Sequence, residues 1–193
     1  MVRACGAPFR LPPVNSDVSH HMRFLCCALT MACISGQALA ANTDTHCLAN
    51  EHVYFSCGID GSDKVVSLCG GMKDSQPSWL QYRFGAIGHT ELTYPKAKKG
   101  SLQKFAGFFE SHKAIPFHIE EVWFRIGKHH YSVESTTSGL NAGEPPCSED
   151  KPCITNELDV KTGGHFTTMR CTEGATNNLT LLRGYISDDQ ADR

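Results

Sequence analysis

Trp79-Leu80-Gln81-Tyr82-Arg83-Phe84 alternates apolar and polar side chains with a period of two residues. Leu80, Tyr82 and Phe84 share one face while Gln81 and Arg83 share the other, the pattern of a strand laid on a core. Working outward, residues 53–57 and 64–69 flank the tight turn Asp60-Gly61-Ser62-Asp63 and predict a hairpin. Its register puts Cys57 near Val65 or Val66, and Cys69 near Val53 or Tyr54. Residues 90–94 continue as strand after Ala86-Ile87-Gly88-His89, and Pro95 ends it. Residues 101–109 read as strand, although Leu102, Phe105 and Phe109 also fit helical spacing. The longest strand is expected over 115–126, with Val122, Phe124 and Ile126 inward and Glu121, Trp123 and Arg125 outward. Gly127-Lys128 then turns the chain into 129–135, and residues 157–161 and 165–171 form a final hairpin across Thr162-Gly163-Gly164. Residues 178–186 add a last strand before a tail that frays. Eight or nine short strands with no helical stretch predict an all-β domain. Its expected form is an antiparallel sandwich or small barrel of about eight strands, stapled by disulfides.

Ten cysteines bear on the staples. Cys5, Cys26, Cys27 and Cys33 lie in or before an apolar N-terminal run, which leaves Cys47, Cys57, Cys69, Cys147, Cys153 and Cys171. An even set of six predicts three disulfides, whereas zinc would want C-x-x-C pairs that the chain lacks. Cys147 and Cys153 enclose a short polar stretch and are the first expected pair. Cys57 and Cys69 sit out of register across their hairpin, too far apart for a bond that needs Cα atoms within about 7 Å. Among the 15 connectivities that six cysteines allow, Cys47 with Cys69 and Cys57 with Cys171 is the preferred remainder.

The N-terminal run decides the compartment. Arg23 precedes Phe24-Leu25-Cys26-Cys27-Ala28-Leu29-Thr30-Met31-Ala32-Cys33-Ile34, a stretch too short to span a bilayer. Ser35-Gly36-Gln37 and Ala38-Leu39-Ala40 follow, so residues 22–40 read as a cleavable signal peptide cut after Ala40. Residues 1–21 are an extension of doubtful role, with the start expected at Met22. Residues 41–193 then form one domain of 193 minus 40, or 153, residues. It carries 15 Lys and Arg against 19 Asp and Glu, a formal charge of −4. Mild acidity argues against nucleic acid as a partner, and no later segment is apolar enough for a membrane span.

The run Phe55-Ser56-Cys57, Lys64-Val65-Val66-Ser67-Leu68-Cys69, Leu80-Gln81-Tyr82-Arg83-Phe84-Gly85 and Glu91-Leu92-Thr93-Tyr94-Pro95 resembles a family of small exported bacterial proteins with no assigned activity. The likeness covers about residues 47–135 and Cys171, and it implies bacterial export.

No motif supplies a catalytic site. Ser101-Leu102-Gln103-Lys104 with Lys161-Thr162-Gly163 echoes penicillin-recognising serine enzymes, but the third element of that set is absent. Glu120 and Glu121 point to opposite faces of a strand, as do His129 and His130, so neither pair forms a two-residue site. Glu91 and Glu134 could still meet carboxylate partners in space. Asn178-Leu179-Thr180 is a glycosylation sequon. Catalytic residues, metal and cofactor are therefore all read as none.

A long loop at 136–156 is the best functional candidate, because about twenty structureless residues in a compact domain are usually a binding loop or disordered. Glu144, Glu149 and Asp150 make its tip acidic and suit a basic partner, such as a hydrolase that attacks the cell wall. The expectation is a noncatalytic binding or inhibitor-like protein, periplasmic or secreted, whose partner is a protein or a cell-envelope component. A small hydrolase with a site assembled in space and a structural envelope component are the alternatives.

Overall fold

The computed structural model describes residues 45–112, 117–139 and 152–188, all within the compact unit Leu39–Arg193. Residues 1–21, the expected signal at 22–40, Cys147 and the acidic trio Glu144, Glu149 and Asp150 lie outside the described residues. Four strands follow one another as a meander: β1 His52–Gly58, β2 Lys64–Lys73, β3 Gln76–Ala86 and β4 His89–Tyr94. A second meander follows: β5 Ala106–His112, β6 Phe117–Ile126, β7 His129–Ser138, β8 Cys153–Thr162 and β9 His165–Arg170. The short β10, Thr176–Asn177, returns to pair with β1. Two antiparallel five-stranded sheets result, ordered β10-β1-β2-β3-β4 and β5-β6-β7-β8-β9. The fold is an open sandwich, which removes the closed-barrel alternative.

Period-two alternation builds the core. Val66, Leu68, Leu80 and Tyr82 of sheet one face Val122, Phe124, Val133 and Leu158 of sheet two, all buried. Phe124 sits at the centre of an aromatic cluster, with ring centroids 4.7 Å from Tyr94, 4.9 Å from Tyr82, 5.1 Å from Tyr131 and 5.4 Å from Phe105. A bulge between Val53 and Phe55 puts Tyr54 and Phe55 both in the interior. Gly70 accommodates it, since a Cβ there would lie 2.4 Å from the Tyr54 ring. The first hairpin has the expected register, with Cys57 opposite Val66 and Cys69 opposite Val53.

Several expected boundaries are corrected. Residues 101–105 are not strand: Leu102–Lys104 is a 3-10 turn, because Leu102 and Phe105 bury three residues apart and the Leu80 N–H donates to Ser101 Oγ at 2.8 Å. Nor is 178–186 a strand. Leu179–Leu182 is a second 3-10 turn, and Leu179, Leu182 and Ile186 plug the interior between the sheets. The loop expected at 136–156 is shorter, because Thr136, Thr137, Ile154 and Thr155 are β-branched and pair as the ends of β7 and β8. Trp123 and Glu121, expected to face water, are buried on the side of sheet two away from the core. Trp123 lies there between Ala106 and Ser132 in register, with the His130 ring centroid at 6.4 Å.

The C-terminal segment sews the sheets together. Ile59 bridges Cys171, β10 adds to sheet one, and Ser187 bridges Ala106 of sheet two. Glu120 of sheet two accepts from Asn177 Nδ2 at 2.6 Å and from the Thr180 hydroxyl. Arg183 donates to the Phe109 carbonyl at 3.0 Å.

Candidate functional site

Sheet register aligns carboxylates that are far apart in the chain. Glu121 on β6 stands opposite Glu134 on β7, which stands opposite Glu157 on β8. Val122, Val133 and Leu158 point into the core, so the three glutamates share the opposite face by alternation. Asp159 is on that face too, two residues beyond Glu157 and opposite Ser132. Like charges directly opposite each other on adjacent strands repel. The Glu157 carboxyl is held above its ordinary value, first by burial and then by the charge of Asp159, with a smaller push from Glu134 and an opposing pull from Arg170. Arg170 Nε is 3.5 Å away on a largely exposed side chain, and the Thr136 hydroxyl donates to Glu134 Oε1 at 2.7 Å. Asp159 Oδ1 is buried without a hydrogen-bond partner.

Charge is segregated along these strands. Arg125, His130 and Lys161 form the corresponding row toward the turns at 127–128 and 163–164. The carboxylate row lies toward the other end, where β7 and β8 finish at the pair Ser138 and Cys153. Cys153 is disulfide-bonded. The segment bearing Glu144, Glu149 and Asp150 therefore departs from the acidic end of the hairpin.

Other candidates separate. Glu91 pairs with Lys64 in sheet one and never meets Glu134 in sheet two. Ser101 is buried and accepts from the Leu80 N–H, while Lys161 lies on β8, so the serine-enzyme echo is not assembled. His129 Nδ1 is 2.6 Å from the Thr162 hydroxyl. Asn178 Nδ2, the amide of the sequon, donates to the Val53 carbonyl at 2.9 Å. Among the described residues are clefts of about 300 and 290 Å³. The first lies between Ser56, Val65 and Thr172–Thr176, with Glu173 its one carboxylate, and the second lies between Tyr94, Lys104, Trp123 and Arg125. Neither brings two carboxylates together.

With both partners among the described residues, Cys47 is joined to Cys69, Cα atoms 5.2 Å apart, and Cys57 to Cys171, 5.5 Å apart. Such bonds fit an oxidising compartment. Among the described residues no helix is long and apolar enough to cross a membrane.

One polar centre had no sequence signal. Glu51, with 2% of its side chain exposed, takes a bidentate pair from Arg83 at 2.6 and 2.9 Å and the Lys98 ammonium at 3.0 Å. Lys98 also lies 4.0 Å over the Trp79 ring. Residues 45–51 thereby cover the outer face of sheet one where Gln81 and Arg83 were expected to meet water. No family model, curated protein or solved structure matches the chain.

The repulsion at Glu157 has a measurable sign. A carboxyl whose pKa is raised by folding weakens the fold once it ionises, and the penalty disappears below its unfolded value. Glu157→Gln should therefore raise stability at neutral pH by about 0.5 kcal/mol, the scale of a cross-strand charge pair. Below pH 4.5 the advantage should vanish. Thermal denaturation of both proteins at the two pH values checks this.

Proposed function

We propose that the protein is exported and works by binding, presenting the acidic end of the β7–β8 hairpin to a basic protein partner of the cell envelope. The observation that carries the reading is the cross-strand pair Glu134 and Glu157 with Asp159 beside it. Carboxylates aligned at the expense of stability are expected where a cationic partner relieves the repulsion. Glu144, Glu149 and Asp150 extend the same charge into the connecting segment. Export rests on the signal-like residues 22–40, on the resemblance to small exported bacterial proteins, and on disulfides that suit an oxidising destination.

A basic wall-degrading hydrolase of the lysozyme type is the partner class that fits. Its activity on cell walls should fall as the protein is added, and the effect should weaken with salt because the contact is charge-driven. Replacing Glu134, Glu157 and Asp159 by their amides should weaken inhibition about tenfold or more, since charge pairs at interfaces carry a few kcal/mol. Undiminished hydrolase activity at a large excess of the protein would overturn the inhibitor reading. Inhibition equal in the wild type and the triple variant would overturn the role of the carboxylate row.

A further inference from the structure

The segment Thr45–Glu51 differs from the rest of the fold in how it is held. None of its residues belongs to the hydrophobic core, and its one large apolar side chain, Leu48, is 60% exposed. Hydrogen bonds from polar groups hold it to sheet one. The Thr45 hydroxyl donates to Ser67 Oγ at 3.3 Å, and the His46 N–H donates to the same oxygen at 3.0 Å. The His46 ring spans the sheet, with Nε2 at 3.2 Å from the Val65 carbonyl and 3.0 Å from the Gly85 carbonyl. Its Nδ1 lies 3.3 Å from the Thr90 hydroxyl, and its backbone carbonyl accepts from Arg83 at 2.8 Å. Glu51 anchors the end nearest β1 through Arg83 and Lys98. The disulfide Cys47–Cys69 ties the segment covalently to β2.

Polar contacts at a surface are individually weak because water replaces them, and segments without buried apolar contacts open locally at low free-energy cost. Cys57–Cys171 stands in the opposite situation. Cys57 is in the core, Cys171 packs against it, and backbone bonds lie on both sides, Asp60 N–H to the Arg170 carbonyl at 2.9 Å and Thr172 N–H to the Gly58 carbonyl at 2.8 Å.

We infer that residues 45–50 are a redox-gated strap, released from the outer face of sheet one when an exported dithiol reductant opens Cys47–Cys69, while the sandwich beneath stays folded. A thiolate of the reductant attacks Sγ of Cys47, the less buried residue of the pair, and forms a mixed disulfide as Cys69 leaves as thiolate and takes a proton. The second thiol of the reductant then attacks its own sulfur and releases Cys47 as a thiol. Two electrons and two protons pass to the protein, and the reductant ends as its disulfide. Glu51 acts as the hinge. Release uncovers the Ser67 hydroxyl, the carbonyls of Val65 and Gly85, and one guanidinium N–H of Arg83. By alternation the Val65 and Cys69 side chains lie on the same face as Ser67, so opening also admits water to a small apolar area there.

The test is a dithiothreitol titration of the oxidised protein, with alkylation and peptide mapping at each step. Cys47 and Cys69 should be labelled together at reductant concentrations that leave Cys57 and Cys171 unlabelled. Near-ultraviolet circular dichroism should remain native there. Amide exchange over residues 46–48 should speed at least about tenfold in that form, while β2 and β3 stay protected. A Cys47→Ala/Cys69→Ala double variant should reproduce that exchange pattern without reductant. Labelling of Cys57 and Cys171 first or simultaneously, loss of the native spectrum at the first step, or unchanged exchange over 46–48 in either the reduced or the double-variant protein would each overturn the gate.

Discussion

Replacing Cys57 and Cys171 together by alanine should destabilise the fold by about 4–5 kcal/mol and lower the melting temperature by roughly 10 °C or more. The pair closes a separation of 114 residues in the chain. Freeing so long a loop gives the unfolded chain more entropy than opening the 22-residue separation of Cys47 and Cys69, which is worth about 3 kcal/mol on the same scale. The native state suffers as well. Cys57 is in the core, and Cys171 begins the return path through β10 and Leu179–Leu182 that joins sheet one to sheet two. Urea denaturation of the two double-alanine variants gives the comparison directly. An equal or smaller loss for Cys57 and Cys171 would contradict this role for the C-terminal clasp.

The regions that could be read in advance are those where neighbours in the chain are neighbours in the sheet. β1 to β4 turn through short loops, so the turn at Asp60-Gly61 narrowed the partner of Cys57 to Val65 or Val66, of which the structure has Val66. The same local reading erred where two periods competed. Leu179, Leu182 and Ile186 are spaced three and four apart, which is helical spacing, and the buried 3-10 plug follows it. Polar centres were less legible still. Glu134 meets Glu157 only because β7 and β8 extend to Ser138 and Cys153, and no local pattern states the register across the segment between them. Glu51 meets Arg83 and Lys98 from positions 32 and 47 residues away, through a segment with no apolar period at all. Hydrophobic patterning records which side chains leave water, and it is silent on which charges meet on the way.

Acid should unfasten Glu51 over a defined window. Burial pushes its carboxyl up, but hydrogen bonds from Arg83, the Leu48 N–H and Lys98 outweigh burial and hold it at about 2, below its ordinary 4.5. A carboxyl whose pKa is lowered by folding stabilises the fold above its unfolded value, and that contribution drains away as pH falls toward the folded one. The gap is 4.5 minus 2, or about 2.5 pH units, which corresponds to about 3 kcal/mol. Glu51→Gln should therefore be weaker than the wild type by about 3 kcal/mol at neutral pH, and the two stability curves should converge between pH 4.5 and about 2. Arg83→Met should cost at least as much at neutral pH, about 3–5 kcal/mol, because it strands a buried carboxylate with only Lys98 and the Leu48 N–H. Its loss should shrink over the same acid window, since protonation removes the stranded charge. Parallel curves for wild type and Glu51→Gln across that window would mean that the pair is only a spatial coincidence. Convergence would identify Glu51 as the pin that holds the N-terminal segment against sheet one, whatever the state of the disulfide beside it.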